Sequence, residues 1–491
     1  MADQLPIFHV IGFTGHRHIE NPTALEATLS QVLGEFTARP GVEWMALSSA
    51  AAGADLAFAR AALAKRISWE AILPLSPTAF AQDFSPEDWR QVQGLLAEAE
   101  AVRVIGERAT REDAYLDCGM ETVNRCDLLV AVWDGAPARG RGGTAEIVAY
   151  ARELHRPLII VNAHTLAITR ENLDRLRSAD RHLVALNRLP AAPGERAPDS
   201  DLSRHTVREF HLKVDYAASH GAPQSRKLTA ATVWLHVLAT ALAAASLAFH
   251  LHHPALPWGK LLCLIGALGV ALLLRHHRHQ QDWVRCRLAA EITRSALATW
   301  GQPRSGSVLD DFDWAGLEPL RRSLEVMQRR SLRRHPAAFA DFKQHYLTER
   351  LEGQLAYFAR QESRAVPQLA RLRFGFTAST VAAIVFTAIY AAHSTLTAPI
   401  APHWMETWIF GFGPIVLPVL AAGFISVVSI NDLQRRVARY REMHLRLDAA
   451  RKEANFAQTW GSLERVVVRT ERALLQEVFE WHSITSFSDS H

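Results

Sequence analysis

The chain has 491 residues, 49% of them hydrophobic and 21% charged, with a formal net charge of +4. The hydrophobic share is not extreme for a protein that mixes membrane-length apolar stretches with soluble structure. Its four cysteines, Cys118, Cys126, Cys263 and Cys286, show neither CxxC pairing nor metal-ligand spacing, which argues against a disulfide scaffold or a metal site and reads as reduced thiols.

Residues 1–165 alternate short apolar runs with amphipathic stretches. Ile7–Phe13, Val42–Leu47, Ile67–Leu73, Ala101–Ile105, Leu128–Trp133 and Leu158–Val161 read as strands; Thr23–Thr37, Ala54–Lys65, Glu87–Ala99, Arg111–Arg125 and Thr144–Leu154 read as helices. Near-continuous apolar strands alternating with helices predict a doubly wound α/β domain with a parallel sheet covered on both faces. Ligands of such folds bind at the carboxyl ends of the strands.

Three glycine-rich turns fall at those ends. The first strand leads into Gly12-Phe13-Thr14-Gly15-His16-Arg17, with close backbone approach, a hydroxyl and a cation. The second leads into Ser48-Ser49-Ala50-Ala51-Ala52-Gly53-Ala54-Asp55, which opens a helix whose terminal amides can face an anion. The fifth leads into Trp133-Asp134-Gly135 and then Gly140-Arg141-Gly142-Gly143-Thr144-Ala145-Glu146, again opening a helix. Each turn alone also suits an ordinary tight turn with a helix cap; three on one sheet edge point to a binding site. His16 serves either as a ligand contact or as a loop brace.

GFTGHR, SSAAAGAD and WDG followed by GRGGTAE, in that order over residues 7–162, resemble the SLOG superfamily, the Rossmann-like group that includes the Smf/DprA and LOG proteins. The resemblance implies a nucleotide or nucleotide-derived ligand held by Gly12, Thr14, Gly15, His16 and Arg17 on the first loop. It adds Ser49, Gly53 and Asp55 on the second loop, and Asp134, Gly142, Gly143, Thr144 and Glu146 on the third. LOG-type phosphoribohydrolases carry GGxGTxxE, whereas here one residue separates Thr144 from Glu146. A one-residue shift at a helix start turns the carboxylate by about 100°, which argues against a catalytic Glu146 and leaves contact with ribose hydroxyls open. Asp55 and Asp134 are the other candidate acids, and each also suits a cap or a loop brace. No cofactor, metal or nucleic acid is expected: the head has no basic stripe with interleaved aromatics.

Residues 166–227 read as a linker with short helices, marked by Pro190, Pro193 and Pro198. Four apolar stretches of membrane-spanning length follow, at about 228–250, 255–274, 374–393 and 407–430. Arg226, Lys227, Arg275, Arg278, Arg371, Arg373, Arg435 and Arg436 flank them, while the loops inside each pair lack Arg and Lys and lie near Trp258, Trp404 and Trp408. This pattern predicts a multi-pass inner-membrane protein with both termini and the head in the cytoplasm. It is organised as a first hairpin with a cytoplasmic helix (228–300), a cytoplasmic helical region (301–373), and a second hairpin with a C-terminal helix (374–491). The pairs Arg321-Arg322, Arg329-Arg330 and Arg333-Arg334 in the middle region read as contacts for anionic lipid headgroups.

Both hairpins continue into charged helices that end in Thr-Trp-Gly, at Thr299-Trp300-Gly301 and Thr459-Trp460-Gly461, which suggests an internal duplication. The hairpin followed by WVRCRLAAEITRSALATW resembles SLATT modules, membrane effector domains found beside SLOG domains in bacterial conflict systems. The resemblance covers residues 225–300 well and 370–465 more loosely. It implies an antiphage effector whose head binds a nucleotide-derived signal and whose membrane part, as a homo-oligomer in the bilayer, opens a pore; the alternative is a membrane-tethered N-glycosidic hydrolase. His236 inside the first span reads as a neutral histidine bonded to a neighbouring helix. Thr377, Thr380 and Thr387 share one face of the third span, and Gly411, Gly413, Pro414 and Pro418 predict a bent fourth span. Leu463, Val466, Val467, Leu474 and Val478 are spaced to zip protomers together.

Overall fold

The computed structural model describes residues 4–37, 41–106, 108, 110–137, 141–177, 180–194, 199–220, 225–251, 253, 255–276, 279–303, 309, 316–395 and 402–488. Gly140, Pro198, His252, His277 and Arg278 lie outside them. The chain forms two compact units, Met1–Lys213 with Phe312–His335, and Val214–Asp311 with Pro336–His491.

The first unit is built on one sheet. In chain order its elements are β1 (Ile7–Gly15), α1 (Pro22–Thr37), β2 (Val42–Ser48), α2 (Ala54–Ala64), β3 (Ser68–Leu73), α3 (Pro77–Phe80), α4 (Pro86–Glu98), β4 (Ala101–Val104), α5 (Arg111–Arg125), β5 (Leu128–Trp133), α6 (Thr144–Glu153), β6 (Leu158–Asn162), β7 (Ile168–Glu171) and α7 (Arg181–Asn187). The strand order is β4-β3-β2-β1-β5-β6-β7, parallel except for β7, which pairs antiparallel with β6. Strands β1 and β5 are buried along nearly their whole length, as expected for a sheet covered on both faces. Ser85 and Thr110 start α4 and α5 by accepting the amides of Asp88 and Asp113, each at 3.1 Å. Phe13 stacks on Phe58 at 4.4 Å within the core, and Trp69 is wholly buried with its indole N–H donating to Ser48 Oγ at 3.0 Å. The strands and helices expected in residues 1–165 all form, while β7 lies in the stretch read as linker.

Helix α12 (Glu318–Arg334) belongs to this unit. Arg322, Arg329, Arg330 and Arg333 do not present themselves for lipid: they meet carboxylates and carbonyls at the amino ends of the strands. Arg329 pairs with Glu70 at 2.6 Å, Arg330 with Glu100 at 3.2 Å, Arg322 with Asp127, and Arg333 donates to the Ala99 carbonyl at 2.6 Å. Burial would raise the Glu70 carboxyl, but Arg329 and Arg103 outweigh it and hold Glu70 at about 2.

The chain passes to the second unit within α8 (Leu202–His220). This unit is helical: α9 (Ser225–Ala248), α10 (Ala255–His276), α11 (His279–Ala298), α13 (Phe339–His345), α14 (Gly353–Thr395), α15 (His403–Met405), α16 (Gly413–Ile430), α17 (Leu433–Phe456) and α18 (Trp460–Ser488). Among the described residues, four helical runs are long and apolar enough to cross a membrane: Lys227–Ala248, Ala255–Leu273, and parts of Phe339–Thr395 and His403–Phe456. Glycines set the packing of the fourth run. A Cβ on Gly413 would lie 2.3 Å from Phe386 on α14, and one on Gly423 would lie 3.0 Å from Val237 on α9. A π-helical stretch, Glu406–Phe412, precedes α16 and its internal Pro418.

One expectation for this unit is corrected. Leu463, Val466, Val467 and Leu474 are buried inside one chain, in a core shared with Phe342, Tyr346, Leu351 and Leu447, so they are not a free zipper. The two Thr-Trp-Gly triplets also differ in structure. Gly301 follows the end of α11 with φ +90°, whereas Trp460 begins α18 and packs against Phe339 at 5.4 Å. Arg350, in the helical turn Tyr346–Glu352 ahead of α14, and Glu471 of α18 form a buried bidentate pair at 2.8 and 2.6 Å.

Candidate functional site

The sheet order turns at β1. From there β2, β3 and β4 run to one side and β5 to the other, so the loops after β1 and β5 diverge and leave a crevice at the strands' carboxyl ends. A cleft of about 1020 Å³ opens there. Thr14, Gly15, His16, Arg17, Ser49, Gly53, Asp55, Asp134, Gly142, Gly143 and Thr144 all line it.

His16 ties the three loops together. Its amide donates to the Val132 carbonyl at 3.2 Å, and its carbonyl accepts from the Ala54 amide at 3.1 Å. Its ring Nε2 accepts from the Asp134 amide at 3.1 Å and lies equally close to the Asp134 carboxylate. The choice left open in the sequence thus gains a structural answer: His16 braces the loops while one face of it borders the cleft. Gly53 lets the second loop reach this brace, because it holds φ +82° and a Cβ there would sit 2.2 Å from the Arg17 carbonyl oxygen. Asp134 shapes its own turn by accepting the Ala136 amide at 2.9 Å.

Asp55 sits at the floor of the cleft, 2% exposed, in the first turn of α2. It accepts from the Ser49 hydroxyl at 2.7 Å and the Ser49 amide at 3.2 Å. Burial outweighs these bonds and the charge of Arg17, and pushes the carboxyl up to about 7. The group can therefore hold or release a proton near neutral pH.

Helix α6 opens on the cleft with Gly143 as its N-cap and no side-chain cap, so its first-turn amides and the positive end of its dipole face the space. Arg141, just ahead of the helix, is 61% exposed at its side chain and pairs with Asp113 at 2.9 Å. Two residues proposed for ligand contact do not reach the wall. Gly12 faces α5 instead: a Cβ there would lie 2.7 Å from Cys126 Cβ and 3.1 Å from Thr122, so it is a packing glycine. The Glu146 carboxylate folds back to accept the Gly142 amide at 2.6 Å and holds the glycine turn in shape.

The structure adds a wall that no sequence motif announced. Tyr115 from α5 lies under the Arg17 guanidinium, 4.8 Å from it, and donates its hydroxyl to Asp83. Arg111 donates to the same carboxylate at 2.6 Å. Burial, then the bond to Asp83, raises the Tyr115 hydroxyl pKa and keeps it a neutral donor. The contributing segments lie about 30 and 100 residues apart along the chain, so local pattern carries no trace of the cluster. No family model matches this chain, and no curated protein matches it.

Proposed function

We propose that the chain is a multi-pass membrane effector whose α/β unit binds a nucleotide-derived signal and whose helical unit, as an oligomer, then permeabilises the bilayer. The observation that carries this reading is the convergence of three crossover turns and the uncapped start of α6 on one cleft, with Arg17 and Arg141 at its edge. Amides at a helix start and guanidinium groups suit phosphate, and Ser49, Thr14 and Asp55 offer hydrogen bonds to sugar hydroxyls. The volume stands at the upper end of small-molecule pockets, roughly 300–1,000 Å³, which suits a ligand larger than one nucleoside. The four apolar helical runs support the membrane part, with the head and both termini on the cytoplasmic side. The resemblance to SLOG and SLATT modules adds the defence context.

The test is thermal stabilisation of the full chain in detergent by a panel of cyclic nucleotides, ADP-ribose isomers and mononucleotides. A ligand at 100 times its Kd stabilises by about 2.7 kcal/mol. Arg17→Ala and Gly143→Asp should each abolish the shift; a panel that moves nothing, or a shift that survives both variants, refutes the reading.

One observation favours a second reading, an N-glycosidic hydrolase: a buried carboxyl with pKa about 7 at the cleft floor is what general acid–base catalysis requires. Turnover of the stabilising ligand, lost in Asp55→Asn, would establish it.

A further inference from the structure

Within the helical unit, α9 carries a polar stripe that the described residues leave open. At about 100° per residue, Thr232, His236 and Thr240 fall within an arc of about 80° on one face. His236 is exposed, Thr232 and Thr240 are half-buried, and all three lie in the apolar run Lys227–Ala248, with His236 near its middle. The neighbours of α9 pack elsewhere on it: Trp234 meets Phe424 of α16 at 5.3 Å, and Leu235 approaches Gly266 of α10. Leu238, on the opposite open face, is 49% exposed, as suits lipid.

The hydrogen bonds of the stripe decide what covers it. The Thr232 hydroxyl donates to the Leu228 carbonyl at 3.1 Å, His236 Nδ1 to the Thr232 carbonyl at 3.0 Å, and the Thr240 hydroxyl to the His236 carbonyl at 2.9 Å. The histidine expected to bond a neighbouring helix bonds its own instead. Every hydroxyl donor of the stripe is thereby spent on the helix backbone, and in the Nδ1–H tautomer that the bond to the Thr232 carbonyl selects, the imidazole turns Nε2 outward as an acceptor. What faces outward is a column of acceptors. Hydrocarbon supplies no donors, and a second copy of the same face offers only acceptors in return. Water and cations supply what the column lacks.

We propose that copies of this chain assemble with the Thr232–His236–Thr240 face of α9 turned toward a shared, water-filled path that favours cations over anions. The inference rests on the membrane reading above and names the surface and selectivity of the assembly. A single chain does not complete the path, since α9 contributes only one wall.

Cysteine accessibility tests it in the full-length protein, reconstituted into vesicles in a Cys263→Ser background. His236→Cys, Thr240→Cys and Leu238→Cys are exposed to membrane-impermeant thiol reagents, one carrying a trimethylammonium group and one a sulfonate. The proposal expects labelling at positions 236 and 240, several-fold faster with the cationic reagent, and none at 238. It is overturned if 236 and 240 stay unlabelled, if 238 labels as fast as they do, if the anionic reagent is the faster, or if labelling persists in vesicles holding one copy each. Release of the wild-type chain from native membranes by alkaline carbonate would instead refute the membrane reading itself.

Discussion

Replacing Asp55 by asparagine removes a titrating proton and keeps the acceptor that Ser49 uses. The folded carboxyl has its pKa raised from 3.8 to about 7 by burial. A raised pKa means that the protonated form is favoured by folding: its contribution is fully present below pH 3.8 and is lost as pH rises to about 7. The full loss is about 4 kcal/mol, and the part falling between pH 4.5 and 7.5 about 3 kcal/mol. Other groups titrate equally in both proteins, so the difference between wild type and Asp55→Asn isolates this site. Hydrogen exchange of the α2 amides in the full chain reads it as a ratio of protection factors. Relative to wild type, Asp55→Asn should gain roughly a hundredfold in protection between pH 4.5 and 7.5. A ratio that does not change with pH would show that Asp55 ionises in the fold without cost, and the argument for a proton-holding carboxyl at the cleft floor would fail.

Gly53→Ala should destabilise the first unit by more than about 1 kcal/mol and abolish ligand-induced stabilisation, because the new methyl meets the Arg17 carbonyl; a melt and a ligand response like those of wild type would contradict this. Glu70→Gln leaves the Arg329 guanidinium without its carboxylate, a loss of about 3 kcal/mol or more by chemical denaturation at pH 7. Because arginines hold Glu70 near 2, its contribution is complete above pH 4.5 and declines only as pH falls toward 2, so the gap between variant and wild type should narrow only in strong acid. Glu146→Ala should speed amide exchange at Gly142 by roughly tenfold without removing a ligand contact, whereas a variant that binds no ligand yet keeps Gly142 protected would return Glu146 to the binding set.

Strand and helix alternation was readable because the two periods, near-continuous apolar strands and 3.6-residue helices, are local properties. The observed β1 begins at Ile7, and α5 spans Arg111–Arg125, both as expected from pattern alone. The glycine-rich turns were readable for the same reason, since turn chemistry acts over a few residues. The direction a side chain takes inside a turn was not. Gly12 sits in the same motif as Gly15 but faces α5, because alternate residues of a strand point to opposite faces. Glu146 turns back to the Gly142 amide, a choice made by the loop's shape.

Composition by itself determined that four stretches match the length and apolarity of a membrane span, since both quantities belong to a single helix. The alternation of strands and helices likewise predicted that the three loops share one sheet edge. Tertiary structure alone decided which partner each charge takes. The arginines of α12 have the same spacing whether they meet phosphate or carboxylate, and their carboxylates at Glu70, Glu100 and Asp127 lie about 200–260 residues away in sequence. It likewise decided which faces remain open: the apolar stripe of α18 is consumed within the chain, and the polar stripe of α9 is not. Burial and ion pairing depend on where distant segments meet, and no local pattern encodes that meeting.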